Sequence, residues 1–168
     1  MEHIPSKGRV IVIANHSGWS GYDAVMIGHE IYKQKKRIPR ILAHQAFFVG
    51  NIKSVSEKMG LTKASIENGL KLLKKNNLVI LFPEGEAGNF KPTSKRYQLQ
   101  EFRRGFIRMA LATQAPIIPT IVIGAEETHI NLATFKLSKY LQNLVIPLPL
   151  NLLPLPAKWK IKFLKPVF

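Results

Sequence analysis

An Asn15-His16 pair closes the apolar run Val10-Ile11-Val12-Ile13-Ala14, and Asp23 follows after Ser17-Gly18-Trp19-Ser20-Gly21-Tyr22. An imidazole held at one nitrogen by a carboxylate presents its other nitrogen as a proton acceptor, so His16 and Asp23 have the chemistry of a general base acting on a substrate hydroxyl. A lone histidine at a strand end is more often structural, and a second segment is what raises the functional reading. Leu78-Val79-Ile80-Leu81-Phe82 is another apolar run, and it breaks at Pro83-Glu84-Gly85. Two parallel strands that both end in polar, glycine-containing loops bring those loops to one sheet edge, where open α/β folds bind their ligands.

The elements that must position these residues alternate along the chain. The patterning predicts strands over 10–14, 40–44, 78–82, 117–123 (interrupted at Pro119) and 159–163, the last in strict two-residue alternation. It predicts helices over 22–34, 65–75 with Ser65 as cap, 104–113 and about 131–144. This order implies an α/β fold, a single domain over residues 1–168 with a mixed, largely parallel sheet flanked by helices on both faces. Residues 145–156 are apolar but carry Pro147, Pro149, Pro154 and Pro156, which excludes a regular helix or a central strand. That segment is either a connection folded over the core or a loop that dips into a membrane interface.

A chain of 168 residues supports one sizeable core. Its 25 Lys+Arg against 10 Asp+Glu give a net charge of +15, which favours anionic lipid, nucleic acid or phosphorylated substrates as partners. The cations cluster at Lys33, Lys35, Lys36, Arg37 and Arg40, again from Lys91 through Arg96 to Arg103, Arg104 and Arg108, and then at Lys158, Lys160, Lys162 and Lys165. Most read as solvated faces; the second cluster stands out because it follows the Glu84 segment. With no cysteine there is neither a disulfide framework nor a thiolate zinc site. His3, His29, His44 and His129 show no metal-ligand spacing, so no metal is expected. No apolar stretch approaches the roughly 20 residues a spanning helix needs, and the first seven residues do not form a signal peptide. Neither aromatic-and-basic interleaving nor a helix-turn-helix is evident, so nucleic acid is not expected as a partner.

Four stretches together resemble the glycerolipid acyltransferase superfamily, especially its branch related to monoacylglycerol and diacylglycerol acyltransferases. They are Asn15-His16-Ser17-Gly18 through Asp23; Phe82-Pro83-Glu84-Gly85; Phe102-Arg103-Arg104-Gly105-Phe106 leading into Ala110-Leu111-Ala112; and Ala115-Pro116-Ile117-Ile118-Pro119-Thr120. Their order and spacing agree over roughly residues 8 to 166.

The resemblance implies transfer of a fatty acyl group from an acyl-CoA or acyl-carrier-protein thioester to a hydroxyl of a glycerol-based lipid, with no cofactor beyond that co-substrate. His16 would be the base and Asp23 its orienting partner, with amides of the Gly18–Gly21 loop as oxyanion donors. Pro83, Glu84 and Gly85 would shape the acceptor pocket, and Arg103, with Lys63 second, would meet a phosphate on the acceptor. Trp19 would line an acyl-chain entrance or pack the loop. The partners implied are the acyl donor, the glycerolipid acceptor and an anionic membrane surface, with the protein peripheral on the cytoplasmic face and this chain a minimal or trimmed form. A catalytically inactive lipid-binding relative is the alternative. Where the family commonly has four residues between His and Asp, this chain has six. Glu86-Ala87 stands where a Thr-Arg pair is usual, and Lys63 stands near a position where arginine is usual.

Overall fold

Val10–Ala14 forms β1, and all five of its residues are buried because the strand lies inside a sheet covered on both faces. This computed structural model describes residues 3–136 and 145–168. After β1 come α1 (Tyr22–Lys35), β2 (Arg40–Ala43), α2 (Ile52–Lys58), β3 (Leu61–Lys63), α3 (Ile66–Lys74), β4 (Leu78–Leu81) and α4 (Glu86–Asn89). Then follow α5 (Gly105–Thr113), β5 (Ile117–Ile123), β6 (Asn131–Lys136), β7 (Val145–Pro149) and β8 (Lys160–Phe163). The main sheet has the order β3-β2-β4-β1-β5-β8, parallel except for β8, which runs antiparallel to β5.

The pleat of β1 divides the core. Val10, Val12 and Ala14 face Ile27 and Ile31 of α1, while Ile11 and Ile13 join Leu73 of α3 and Met109 of α5 on the opposite face. The α/β class, the largely parallel sheet and the helices on both faces are as the sequence leads one to expect. Ala14 pairs with Thr120, so β5 runs on to Ile123 beyond the end of β1, while Ile13 pairs with Leu81, so β1 and β4 end nearly level. The loops that follow them therefore leave the sheet side by side.

The C-terminal part differs from expectation. The helix expected over 131–144 is instead strand β6 at Asn131–Lys136, with 137–144 outside the described residues. Tertiary hydrogen bonds hold this segment as a strand: the Asn131 side chain donates to Phe90 O at 2.7 Å and Lys91 O at 3.1 Å, and accepts from Leu148 N at 3.0 Å. The proline-rich Val145–Pro149 pairs with β6 as β7 in a two-stranded antiparallel sheet. An edge strand tolerates the N–H groups that Pro147 and Pro149 lack, so the exclusion of a central strand holds while the connection itself has strand structure. Strand β5 runs through Pro119 without interruption. Pro119 turns its missing donor toward β8, between the end of that strand at Phe163 and an isolated bridge from Ile117 to Val167, where no ladder bond is needed. The short β3, α2 and α4 are additions that periodicity over such spans does not reveal.

Gly124, at φ 102°, starts the 3-10 turn Ala125–Glu127 after β5, and a Cβ there would lie 2.5 Å from the Lys158 backbone oxygen. Gly124→Ala is expected to destabilise the protein by about 1–3 kcal/mol from backbone strain alone. The check is a lower urea midpoint at unchanged m-value.

Candidate active site

The level ends of β1 and β4 bring the His16 loop against the Pro83-Glu84-Gly85 turn. Asn15 extends β1 with its side chain, which donates to Val122 O at 2.9 Å and accepts from Val122 N at 2.8 Å. This pins the residue before His16 to β5. Sequence reading placed Asn15 in the motif without assigning it this role; its position at a strand end is the signal.

The six-residue spacing does not separate the imidazole from the carboxylate. His16 Nδ1 lies 2.6 Å from Asp23 Oδ2. Asp23 is fully buried in the first turn of α1, where the helix dipole favours a carboxylate, and it also accepts from Ser17 N at 3.0 Å and Ala24 N at 2.8 Å. The longer loop is accommodated by left-handed backbone at Gly18 and Gly21, with φ of 82° and 76°. With Nδ1–H directed at the carboxylate, Nε2 carries the lone pair. The ring stacks on Phe82 at 4.0 Å between centroids, and its side chain keeps 14% exposure.

Glu84 is 1% exposed, and its carboxylate bridges two loops. One oxygen accepts from His16 N at 2.9 Å, the other from Gln100 N at 2.7 Å. Gly88 makes room for it, since a Cβ there would lie 2.6 Å from Glu84 Cβ. Glu84 is therefore engaged with backbone, and its side chain holds the site loop in place. Pro83 is buried, and its carbonyl accepts from Arg103 N at 3.0 Å. The Arg103 guanidinium lies over Gly85, where a Cβ would meet its Cζ at 3.5 Å. Pro83, Glu84, Gly85 and Arg103 thus form one unit beside His16.

Lys63 stands apart. It ends β3, three strands from β1 in the sheet order, which at about 4.8 Å per strand is roughly 14 Å. It lines a groove of about 650 Å³ with His44, Phe48, Val49, Lys53 and Leu61. His44 Nε2 contacts Glu86 Oε1 at 2.7 Å, linking the groove to the turn after Gly85. Of the second basic cluster, Lys91 is buried and paired with Glu126, so it is not a free anion-binding cation.

Trp19 packs inward: its ring meets His129 edge-on at 5.5 Å, and its carbonyl accepts from Asn89 Nδ2 at 3.3 Å. Trp19 N donates to Asn89 O at 3.1 Å and Ser20 N donates to Gly18 O, so two of the loop's amides are already bonded. His129, in the loop before β6, is 3% exposed and stacked beside Tyr22. Asn89, Gln100 and His129 escaped sequence reading because their parts depend on contacts across the fold. Among the described residues no group of three His, Asp or Glu side chains converges as a metal site.

Burial lowers the His129 pKa from the ordinary 6.5, outweighing the opposing effect of a ring N–H directed to the Leu152 carbonyl. Lys91, Arg96 and Glu126 line the cavity that His129 faces. Because the folded state resists protonation, the unfolded chain takes up the proton first as pH falls below about 6.5, and stability declines from there until the folded value is reached. Urea unfolding is expected to show a smaller loss of stability between pH 7 and 5 in His129→Phe than in the unsubstituted protein; equal slopes would exclude His129 as the source.

A model of the family described as acyltransferase matches residues 1–123. The chain is 36% identical over 180 residues to an uncharacterized protein of Mycobacterium tuberculosis, an alignment covering 99% of this chain and 50% of that one. It is 30% identical over 131 residues to the 1-acyl-sn-glycerol-3-phosphate acyltransferase of Cocos nucifera, covering 74% of this chain and 40% of that one. The crystal structure of the 1-acyl-sn-glycerophosphate (LPA) acyltransferase PlsC from Thermotoga maritima has a similar fold, with a TM-score of 0.63 at 18% identity, covering 99% of this chain and 58% of that chain. The chain spans about half the length of the curated relatives it matches. The matched residues run from before the His16 loop to the end of β5, and the chain belongs to the acyltransferase family.

Proposed function

We propose that this chain transfers a fatty acyl group from an acyl-CoA or acyl-carrier-protein thioester to a hydroxyl of a glycerol-based lipid, with His16 as general base. The observation that carries the reading is the 2.6 Å contact between His16 Nδ1 and buried Asp23. Nε2 takes the proton of the acceptor hydroxyl as its oxygen attacks the thioester carbonyl. The tetrahedral oxyanion collapses to the ester, and the departing thiolate takes the proton back from the imidazolium. Asp23 holds the ring and stabilises its charged form. In the site loop the amides of Gly18 and Gly21 are the proposed oxyanion donors, since those of Trp19 and Ser20 are bonded elsewhere.

Arg103, held at the Gly85 turn, is the proposed partner of a phosphorylated acceptor, in keeping with the named activities of the Cocos nucifera and Thermotoga maritima proteins. The groove at Lys53 and Lys63, apolar at Phe48, Val49 and Leu61, suits an acyl chain with an anionic end. His16→Ala is expected to lower thioester consumption, in the presence of lysophosphatidic acid or monoacylglycerol, by on the order of 10²- to 10⁴-fold. Equal rates in both proteins would sink the enzyme reading and favour a lipid-binding relative.

The proposed place of action is an anionic membrane surface on the cytoplasmic side, with the protein peripheral. Among the described residues no helix is long and apolar enough to cross a membrane. Leu152 and Leu153 are 74% and 81% exposed beyond β7, and with Phe135, Ile146, Leu148 and Leu150 they make an apolar surface on a chain of net charge +15. Exposed leucines add insertion to electrostatic attraction. Pelleting with phosphatidylglycerol vesicles is expected to weaken several-fold in a Leu152→Ser, Leu153→Ser variant and to fall with added salt, whereas unchanged pelleting would remove this surface from the proposal.

A further inference from the structure

Behind the site loop is a cavity of about 20 Å³, whose lining includes Ser17, Trp19, Asn89, Thr93, His129 and Asn131. Four buried side-chain atoms have no hydrogen-bond partner among the described residues: Ser17 Oγ, Trp19 Nε1, Asn89 Oδ1 and His129 Nε2. All four belong to residues that line this one cavity. Ser17 and His129 are 2% and 3% exposed, so bulk solvent does not satisfy them. A buried polar atom left unbonded forfeits its hydration without replacement, and four at one place are hard to reconcile with a dry interior.

The donor inventory defines what fits. Trp19 Nε1–H can only donate. Asn89 Nδ2 is held by its bond to Trp19 O, and the unpartnered Oδ1 is an acceptor. Thr128 Oγ1 donates its only proton to Ala125 O at 2.7 Å, so its contact with His129 Nδ1 at 2.9 Å is donated by the imidazole. His129 Nε2 then carries the lone pair and has no partner, and burial favours the neutral ring. Ser17 Oγ has one proton to give. The cavity therefore offers two donors and two acceptors, the complement of one tetrahedral oxygen carrying hydrogen. Its volume is that of about one water, which needs roughly 10–15 Å³ and 2–4 polar partners. Of the charged residues in the lining, Lys91 is paired with Glu126 and Arg96 is exposed beside the Tyr97 ring, while the four unpartnered atoms themselves carry no charge.

We propose that this cavity is a binding site for a single neutral hydroxylic oxygen, either a buried water or one hydroxyl of a polyol, bonded by Ser17, Trp19, Asn89 and His129. Water matches all four groups, and a polyol hydroxyl, with one proton, matches three. The site braces the loop from the side opposite Asp23 and Glu84: Ser17 adjoins His16, and Gly18 approaches so closely that a Cβ would lie 3.0 Å from Ala125 O and 3.3 Å from Thr128 Oγ1. The inference does not depend on whether the chain transfers acyl groups.

The test uses the Trp19 indole N–H as reporter in ¹⁵N-labelled protein, identified by the loss of the other indole signal in Trp159→Phe and, independently, of its own in Trp19→Phe. A rotating-frame cross-peak from Trp19 N–H to water, of the sign given by dipolar contact and not by exchange, is expected, with glycerol up to tens of millimolar leaving it in place. If glycerol instead replaces the water cross-peak with one to its own protons and shifts the indole signal to saturation, the site takes a polyol hydroxyl. His129→Phe, which keeps the aromatic packing, is expected to abolish or shorten the contact, and Ser17→Ala to shift the signal while retaining it. A Trp19 N–H that shows no dipolar contact to water or glycerol, and the same shift in His129→Phe as in the unsubstituted protein, would overturn the proposal.

Discussion

The Glu84 carboxylate lies buried at the sheet edge and accepts from the backbone N–H of His16 on one side and of Gln100 on the other. A carboxylate taken out of water must recover its hydrogen bonds, and here it recovers them from the loop that carries the imidazole. Asp23 applies the same constraint from the opposite direction, through Ser17 N and the His16 ring. Two buried carboxylates therefore grip consecutive residues of one loop. Each of them also belongs to a different element, the β4 turn and the first turn of α1, so neither can shift without moving the sheet edge or the helix.

The net charge of +15 is not spread uniformly in its physical effect. Arg37 donates to Pro5 O at 2.8 Å and Gly8 O at 2.6 Å, fastening the segment before β1 to the end of α1. Lys91 is buried against Glu126, and Arg103 lies on the Gly85 turn. Lys160 and Lys162, by contrast, point to solvent from β8 while Ile161 and Phe163 turn inward. Cations with a specific geometric task are thus those held at loops and chain crossings, and the remainder supply a diffuse positive field.

The two-stranded β6–β7 sheet serves two purposes at once. Its Asn131 ties it to residues 90 and 91 beside the site, while Phe135, Ile146 and Leu148 face outward. A single hairpin is marginal in water by itself, which explains why its attachment runs through buried polar bonds to the loop after α4. The proposed surface attraction and the tether to the site are thus carried by different residues of the same two strands.

The α/β architecture was legible because β1 and β4 are continuous apolar runs and α3 carries its Ser65 cap and a one-sided apolar face; such local patterns have one good burial solution. His16, Asp23, Glu84 and Arg103 were legible as site candidates because residue type and spacing are sequence properties. Which of them touch was not. The positive-φ glycines at 18 and 21 decide that six intervening residues still bring Asp23 to the ring, and strand order decides that Lys63 stands three strands from β1. The 131–136 segment shows the limit most clearly, since it is held as a strand by Asn131 bonds with partners 17 to 41 residues away, which no local pattern contains. Sequence by itself determined the central strands of the main sheet and the chemistry available at its edge, because apolar patterning and ionisable groups are local properties of the chain. Tertiary structure alone decided which groups meet, which carboxylate holds backbone and which holds imidazole, because hydrogen bonds form only between atoms that the fold has already brought within reach.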